Sequence, residues 1–92
     1  MVKTIAVMGS TGSIGRQTLD VVKANPEKVK IGALAAHTND ELLEQQIIAF
    51  NPDIAAVYDV EAAKRLRNHY RGKTEILSGE EGLHAVATYS NI

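Results

Sequence analysis

Apolar runs alternate with amphipathic stretches along this chain, and each kind of pattern predicts one kind of element. The first run, from Thr4 to Met8, is apolar without alternation, which is typical of a strand buried on both faces of a parallel sheet. A helical pattern follows from Ser13 until Asn25 and Pro26 end it. Its recurring positions, at three- and four-residue spacing, are Ile14, Thr18, Val21 and Val22.

The same alternation continues to the end of the chain. The patterns predict strands over Val29 to Ala36, Ile54 to Tyr58 and Glu75 to Leu77, and helices over Asn39 to Phe50, from Val60 to about Tyr70, and from near Glu80. Leu43, Ile47 and Phe50 mark the buried face of the second helix, and Ala63, Leu66 and Tyr70 that of the third. Strands and helices in this order predict a Rossmann-like, doubly wound α/β fold of about four βα units, with a parallel sheet and helices on both faces.

The length permits one domain, because 92 residues fall below the roughly 100 to 150 residues of a typical domain. Residues Thr88 to Ile92 show no helix cap and no further element, whereas a complete doubly wound fold needs more strands. We therefore expect residues 1–92 to form part of a larger domain.

The composition of the chain argues against two classes of binding partner. The net charge is −1, from 10 Lys plus Arg and 11 Asp plus Glu, so the chain as a whole does not attract nucleic acid or anionic lipid. There is no cysteine, no apolar run long enough to span a membrane and no signal-peptide pattern, and these features favour the cytoplasm. We expect neither a nucleic-acid nor a membrane partner.

Three glycines separate the first strand from the first helix, at Gly9, Gly12 and Gly15. A dinucleotide's diphosphate binds the free amides and the positive dipole end of such a helix. Gly9 would permit the tight turn, Gly12 the approach of the phosphate, and Gly15 close packing of helix on strand. Thr11 and Ser13 add hydroxyl donors. The alternative is a plain connection in which Ser13 is the N-cap of the helix.

The residues after the second strand bear on the choice of cofactor. An acidic residue there would favour NAD, but Ala36 is followed by His37, Thr38 and Asn39, which leave room for a 2′-phosphate and favour NADP. The alternative is that Thr38 and Glu41 form a capping box that only starts the second helix.

Two groups of charged residues are explained by helix structure rather than by binding of a metal or a partner. Asp59 and Glu61 have the spacing of an acidic metal pair, but they stand where the third helix begins, so we expect an N-cap and a first-turn acid. A basic stretch is interpreted as a solvated helix face. Its members are Lys64, Arg65, Arg67, Arg71 and Lys73.

The segment from Gly9 to Val29, GSTGSIGRQTLDVVKANPEKV, resembles the N-terminal signature of the 1-deoxy-D-xylulose 5-phosphate reductoisomerase family. ALAA with Asn39, the pair Asn51 and Pro52, and TEILSG at residues 74–79 follow the same order. The resemblance covers most of this chain but only the first part of a family member.

The resemblance implies an NADPH-dependent, homodimeric enzyme that uses Mg²⁺ or Mn²⁺ to convert its sugar phosphate to 2-C-methyl-D-erythritol 4-phosphate in non-mevalonate isoprenoid biosynthesis. It implies that Asn39 lies near the adenosine 2′-phosphate, and that the family's frequent Gly and basic residue before it are replaced by His37 and Thr38. The implied contacts to the cofactor phosphates are Thr11, Gly12, Ser13 and Ile14. The implied metal and substrate residues lie beyond Ile92, so we expect this N-terminal NADP-binding part to be inactive alone.

Two other functions remain open from the sequence. One is a stand-alone NADP-binding sensor module without catalysis. The other is a different two-domain NADP-dependent reductase with a similar glycine turn, in which the TLDVV and NPE signature would be coincidental.

Overall fold

The computed structural model describes residues 2–89, and within them strands and helices alternate as predicted. The elements are β1 (Lys3–Met8), α1 (Ser13–Ala24), β2 (Val29–Ala36), α2 (Asp40–Phe50), β3 (Ile54–Val57), α3 (Val60–His69), β4 (Glu75–Ser78) and α4 (Gly79–Tyr89). The bounds agree with the predicted ones to within one or two residues, because Gly, Asn and Pro interrupt the chain at most junctions.

The sheet is parallel throughout its described strands, in the order β1-β2-β3-β4. One core cluster joins the sheet to α1, α2 and α3, through side chains such as Leu19, Leu43 and Leu66. A second cluster on the opposite face contains Val86 of α4. The prediction of a doubly wound α/β fold with helices on both faces is confirmed.

Gly32 interrupts the register of the first strand pair. Ile5 pairs with Ile31, but Ala6 pairs with Ala33, so Gly32 is an extra residue in β2. Ile31 therefore packs in the cluster with α1 to α3, while Ala33, two residues on, packs in the α4 cluster. In a regular strand residues two apart share a face; the bulge at Gly32 removes that constraint. A Cβ on Gly32 would lie 2.2 Å from the ring of Tyr89, so the glycine also makes room for α4.

The buried residues of α1 coincide with the recurring positions of the sequence pattern only at Val22. Ile14 and Val21 are 78% and 62% exposed, and the buried residues of the helix are Gly15, Leu19 and Val22. The spacing of the apolar residues did not indicate this face, because Gly15, which has no side chain, packs closely against the backbone of Gly9 and Ser10 in the turn. That contact turns the stripe of residues 15, 19 and 22 toward the sheet.

The structure also defines where β3, α3 and α4 begin or end. Tyr58 follows β3 and is exposed, and Tyr70 is the C-cap of α3 rather than its last residue. The predicted N-cap Asp59 is confirmed, since its Oδ2 accepts the Ala62 amide at 2.9 Å. Thr88 belongs to α4, contrary to the expectation that no element covers it; the rest of that expectation concerns residues 90–92, which lie outside the described part.

The described surface is mixed in charge. The basic residues assigned to a solvated face are exposed, and within that group Arg65 contacts Asp40 at 3.2 Å and Lys64 contacts Glu61 at 3.6 Å. Among residues 2–89, no helix is long and apolar enough to cross a membrane.

Candidate functional site

The turn between β1 and α1 requires glycine at two of its three glycine positions. Gly9 has φ +67°, a left-handed conformation that other residues adopt only with strain. A Cβ on Gly15 would lie 2.1 Å from the Gly9 carbonyl oxygen and 2.7 Å from Ser10 Cα, so a side chain there would push α1 off the turn. Both structural roles agree with those predicted, and the fold needs them whether or not a ligand binds.

Gly12 is different, because the fold does not require glycine there. Its φ of −82° and ψ of 176° are open to any residue. A Cβ on Gly12 would lie 3.4 Å from the Gly9 carbonyl oxygen, which is close to ordinary contact. The packing of the described residues leaves this glycine unexplained, and a group binding against the turn from outside would explain it.

The N-terminus of α1 carries unpaired donors. Gly12 is the N-cap, it makes no side-chain cap hydrogen bond, and the first turn of the helix contains no acidic residue. The alternative of Ser13 as the N-cap was therefore wrong. Among the described residues, the turn's backbone hydrogen bonds use the amides of Ser10, Gly12 and Arg16. The amides that find no backbone acceptor there are those of Thr11, Ser13, Ile14 and Gly15.

The neighbouring helices begin in the opposite way. Asn39 caps α2 and Asp59 caps α3 with a side-chain oxygen, and both helices have acids in the first turn. Such acids stabilise a helix and repel an anion at its N-terminus. Of these three helix starts, that of α1 is thus the most favourable to an anion, since it has neither a side-chain cap nor a first-turn acid.

A residue that the sequence analysis missed supports the turn from beneath. Gln46 on α2 donates through Nε2 to the Ser10 carbonyl oxygen at 2.8 Å, and the Ser10 amide donates to Ala35 of β2 at 2.8 Å. Gln46 is only 7% exposed. The available signal was a polar residue on the stripe of α2 that buries Leu43 and Ile47, where a core side chain is expected.

The second predicted group lies after β2, at the same edge of the sheet. The parallel strands end together, with Met8 of β1 paired to Ala35 of β2, so the loop of residues 37–39 adjoins the glycine turn. His37, Thr38 and Asn39 are all exposed. The structure thus brings the nine predicted site residues to one edge: six lie in the glycine turn and the first residues of α1, and three lie in the loop after β2.

Within that second loop, Asn39 and His37 have definite partners. The Oδ1 of Asn39 accepts the Leu42 amide at 3.1 Å, so Asn39 is the N-cap of α2 and the alternative of a Thr38 and Glu41 capping box was wrong. Thr38 and Asn39 are both of residue types that cap helices, and the one that caps α2 is Asn39, which directly precedes the helix. The ring of His37 stacks on that of Tyr58, with centroids 5.2 Å apart.

The acid beside Asn39 is paired. The Asp40 carboxylate accepts a hydrogen bond from Arg65 at 3.2 Å, and this bond raises the pKa of Arg65 above its ordinary value. The pair offsets the negative charge next to the loop of residues 37–39. An anion approaching that loop therefore meets a weaker repulsion than an unpaired Asp40 would exert.

The sheet, its helices on both faces and the open glycine turn define the class: a Rossmann-like α/β domain. The family follows from comparison with known proteins. The family model described as 1-deoxy-D-xylulose 5-phosphate reductoisomerase matches residues 5–92, and the chain belongs to this family.

Similar sequences and solved structures support the same family assignment. The chain is 53% identical over 91 residues to "1-deoxy-D-xylulose 5-phosphate reductoisomerase 1" of Bacillus thuringiensis subsp. konkukian, covering 99% of this chain and 24% of the relative. A reductoisomerase of Thermoanaerobacter sp. is 46% identical over 87 residues, 95% of this chain and 23% of the relative. The Zymomonas mobilis enzyme in complex with NADPH matches with a TM-score of 0.89 and 29% identity over 96% of this chain and 24% of that one.

A further reductoisomerase structure, in complex with NADPH, fosmidomycin and magnesium, matches with a TM-score of 0.80 and 28% identity over 94% of this chain and 22% of that one. The chain thus spans about a quarter of the length of the curated relatives it matches. The family resemblance stated from the sequence is confirmed, and the hypothesis of a different two-domain reductase was wrong.

Proposed function

We propose that this chain is the NADPH-binding part of a 1-deoxy-D-xylulose 5-phosphate reductoisomerase, which forms 2-C-methyl-D-erythritol 4-phosphate in isoprenoid biosynthesis. The observation that carries the proposal is the open N-terminus of α1, with Gly12 as an N-cap that the described packing does not require. It gains weight from the family match and from the NADPH complex of the similar Zymomonas mobilis enzyme.

The glycine turn would hold the cofactor's diphosphate. The unpaired amides of Thr11, Ser13 and Ile14 are donors at the positive end of the helix dipole, where an anion is most favoured. The hydroxyls of Thr11 and Ser13 add donors, and Gly12 leaves the space that the phosphates need. Gly9 and Gly15 act indirectly, by shaping the turn.

The loop of residues 37–39 would hold the adenosine 2′-phosphate. Asn39 uses Oδ1 for the cap of α2, which leaves its Nδ2 group free to donate to a phosphate oxygen. Thr38 offers a hydroxyl, and His37 offers a ring nitrogen held by its stack on Tyr58. No acid stands among these three residues to bind a 2′-hydroxyl instead, which favours NADPH over NADH.

NADPH supplies the hydride, and this chain's residues bind and orient it. Among residues 2–89, no group of three or more His, Asp or Glu side chains is placed to hold a metal ion. We therefore assign the Mg²⁺ or Mn²⁺ and the sugar phosphate to residues outside this chain. The proposal includes a homodimer in the cytoplasm, to be checked by light scattering and cell fractionation.

Steady-state kinetics test the proposal on the native protein that carries this sequence. With 1-deoxy-D-xylulose 5-phosphate and Mg²⁺, we expect consumption of NADPH and much slower consumption of NADH. Gly12→Val should raise the KM for NADPH at least tenfold, because its side chain occupies the phosphate space. Ala24→Val, at the exposed far end of α1, is the control for a valine introduced away from the turn. No turnover, or an unchanged KM in Gly12→Val, would contradict the proposal.

A further inference from the structure

Gln46 makes a contact between distant parts of the chain that core packing alone does not explain. It lies on the buried stripe of α2, between Leu43 and Ile47, yet its amide reaches 36 residues back to the Ser10 carbonyl oxygen in the glycine turn. Its own Oε1 and the Ser10 hydroxyl are buried and find no partner within residues 2–89. Burying unpaired polar atoms costs stability, so an apolar residue of similar size would serve the core better.

The bond fixes the orientation of one peptide group. The Ser10 amide is held by Ala35 of β2 and its carbonyl by Gln46 of α2, so Ser10 is anchored on both sides to the framework. The described chain contains no cis peptide, and in a trans peptide the C=O and the following N–H point in opposite directions. A carbonyl drawn inward toward α2 therefore directs the Thr11 N–H outward.

The Thr11 amide is one of the unpaired donors at the start of α1. If the Ser10 carbonyl were released, this peptide could rotate and present its oxygen to the outside, where it would repel a phosphate. Rotation of this peptide changes ψ of Ser10 and φ of Thr11, so the flanking strand and helix would not have to move. The hydrogen bond from Gln46 to the Ser10 carbonyl opposes that rotation.

We propose that Gln46 is a positioning residue for the cofactor diphosphate, acting through the Ser10 carbonyl to hold the Thr11 N–H toward the ligand. The assignment rests on the proposed function, since it presumes that a diphosphate binds at the turn. Gln46 itself touches no ligand; it lies beneath the loop and keeps the donor array preorganised.

The test compares two ligands on the native protein and on Gln46→Met, which keeps the side chain's length and removes its donor. NADPH engages both the turn and the loop of residues 37–39, whereas adenosine 2′-monophosphate carries no diphosphate for the turn. We expect Gln46→Met to weaken NADPH about tenfold or more and to change adenosine 2′-monophosphate affinity by less than about twofold. Gln45→Met, at the adjacent exposed position of α2, should change neither affinity.

The outcomes separate the two proposals. Unchanged NADPH affinity in a folded Gln46→Met protein overturns the role of Gln46 alone, and so does a parallel loss for both ligands, which indicates general damage to the fold. A wild-type protein that binds neither ligand overturns the proposed function, and the role of Gln46 with it.

A second measurement needs no variant and applies even if Gln46→Met does not fold. In the wild-type protein, amide NMR should show NADPH shifting the Thr11 signal and protecting that amide from hydrogen exchange. A Thr11 signal that does not respond to bound NADPH would overturn the assignment.

Discussion

Gly9 and Gly12 stand three residues apart in one turn, yet different physical requirements keep them glycine. Gly9 has a positive φ, which the backbone needs even without a ligand. Gly12 has an extended conformation at an N-cap position, where serine is ordinarily preferred. The spacing of the glycines was visible in the sequence, but which of them the fold requires depends on φ and on the neighbouring atoms.

Replacing each of these glycines with serine should separate the two requirements. Gly9→Ser forces a side chain into the left-handed region, and we expect a loss of about 1–2 kcal/mol in the free energy of unfolding. Gly12→Ser supplies a good N-cap, so stability should stay level or rise by a few tenths of a kcal/mol, while NADPH affinity falls. Urea denaturation and NADPH titration of both variants check this. Equal stability loss in both would be inconsistent with the backbone geometry.

Asn39 has two functional groups with separate roles, so one substitution can remove one role and keep the other. Asn39→Asp retains the oxygen that caps α2, replaces the Nδ2 donor and adds a negative charge beside the proposed 2′-phosphate position. We expect stability within about 0.5 kcal/mol of the wild type and a tenfold or greater fall in the preference for NADPH over NADH. Asn68→Asp, on the exposed face of α3, is the control of equal charge. An unchanged preference would remove Asn39 from the 2′-phosphate site.

At the level of elements, the sequence predicted most boundaries but not all contacts. Proline, asparagine and glycine end the segments locally, so the ends of α1 and α2 follow from nearby residues. The buried face of α1 depends on the close contact of Gly15 with the backbone of Gly9 and Ser10, and a glycine leaves no apolar signal in the sequence. The cap of α2 was missed because Thr38 and Glu41 have capping-box spacing although Asn39 caps the helix.

The end of α4 is connected to the start of β3, and this contact should depend on pH. The Tyr89 hydroxyl donates to the Asp53 carboxylate, and this hydrogen bond raises the pKa of Tyr89 above its ordinary value of 10.0. Because the folded state holds the proton more tightly, the stabilisation is complete below pH 10 and is lost as pH rises through the raised pKa.

Tyr89→Phe is the variant that isolates this effect. We expect the wild type to exceed it in free energy of unfolding at pH 7 to 9, and the difference to shrink above pH 10 as the wild type loses its bond. Denaturant unfolding across that range measures the difference, which cancels titrations common to both proteins. A difference that is constant across the whole range would show that the contact does not depend on the phenol proton.

At the scale of the whole molecule, alternating elements predicted a parallel sheet but not the order of its strands. The order β1-β2-β3-β4 gives β1 one neighbour among the described strands, and α4 returns across the opposite face to contact β1. In doubly wound sheets a dinucleotide lies across the point where the strand order reverses, beside the first strand. Strand order follows from long-range packing, which no local pattern encodes.

This arrangement predicts how the chain behaves when it is produced alone. It offers the glycine turn and the loop of residues 37–39 but only one side of β1, so we expect NADPH to bind at least tenfold more weakly than to the native protein, without turnover. Adenosine 2′-monophosphate should bind the two proteins alike. Calorimetric titration of both proteins checks this, and equal NADPH affinity would favour the sensor module.

Because Gly32 is an extra residue in β2, this strand should tolerate the deletion of one residue better at position 32 than at its regular positions. Deleting one residue from a buried strand normally exchanges its two faces beyond that point. Deleting Gly32 would instead leave Ile31 next to Ala33, whose side chains already point to opposite sides, and both would keep their partners in β1. Loss of this codon should therefore harm folding less than loss of the codon for Leu34, so natural length variation within this strand is expected at residue 32.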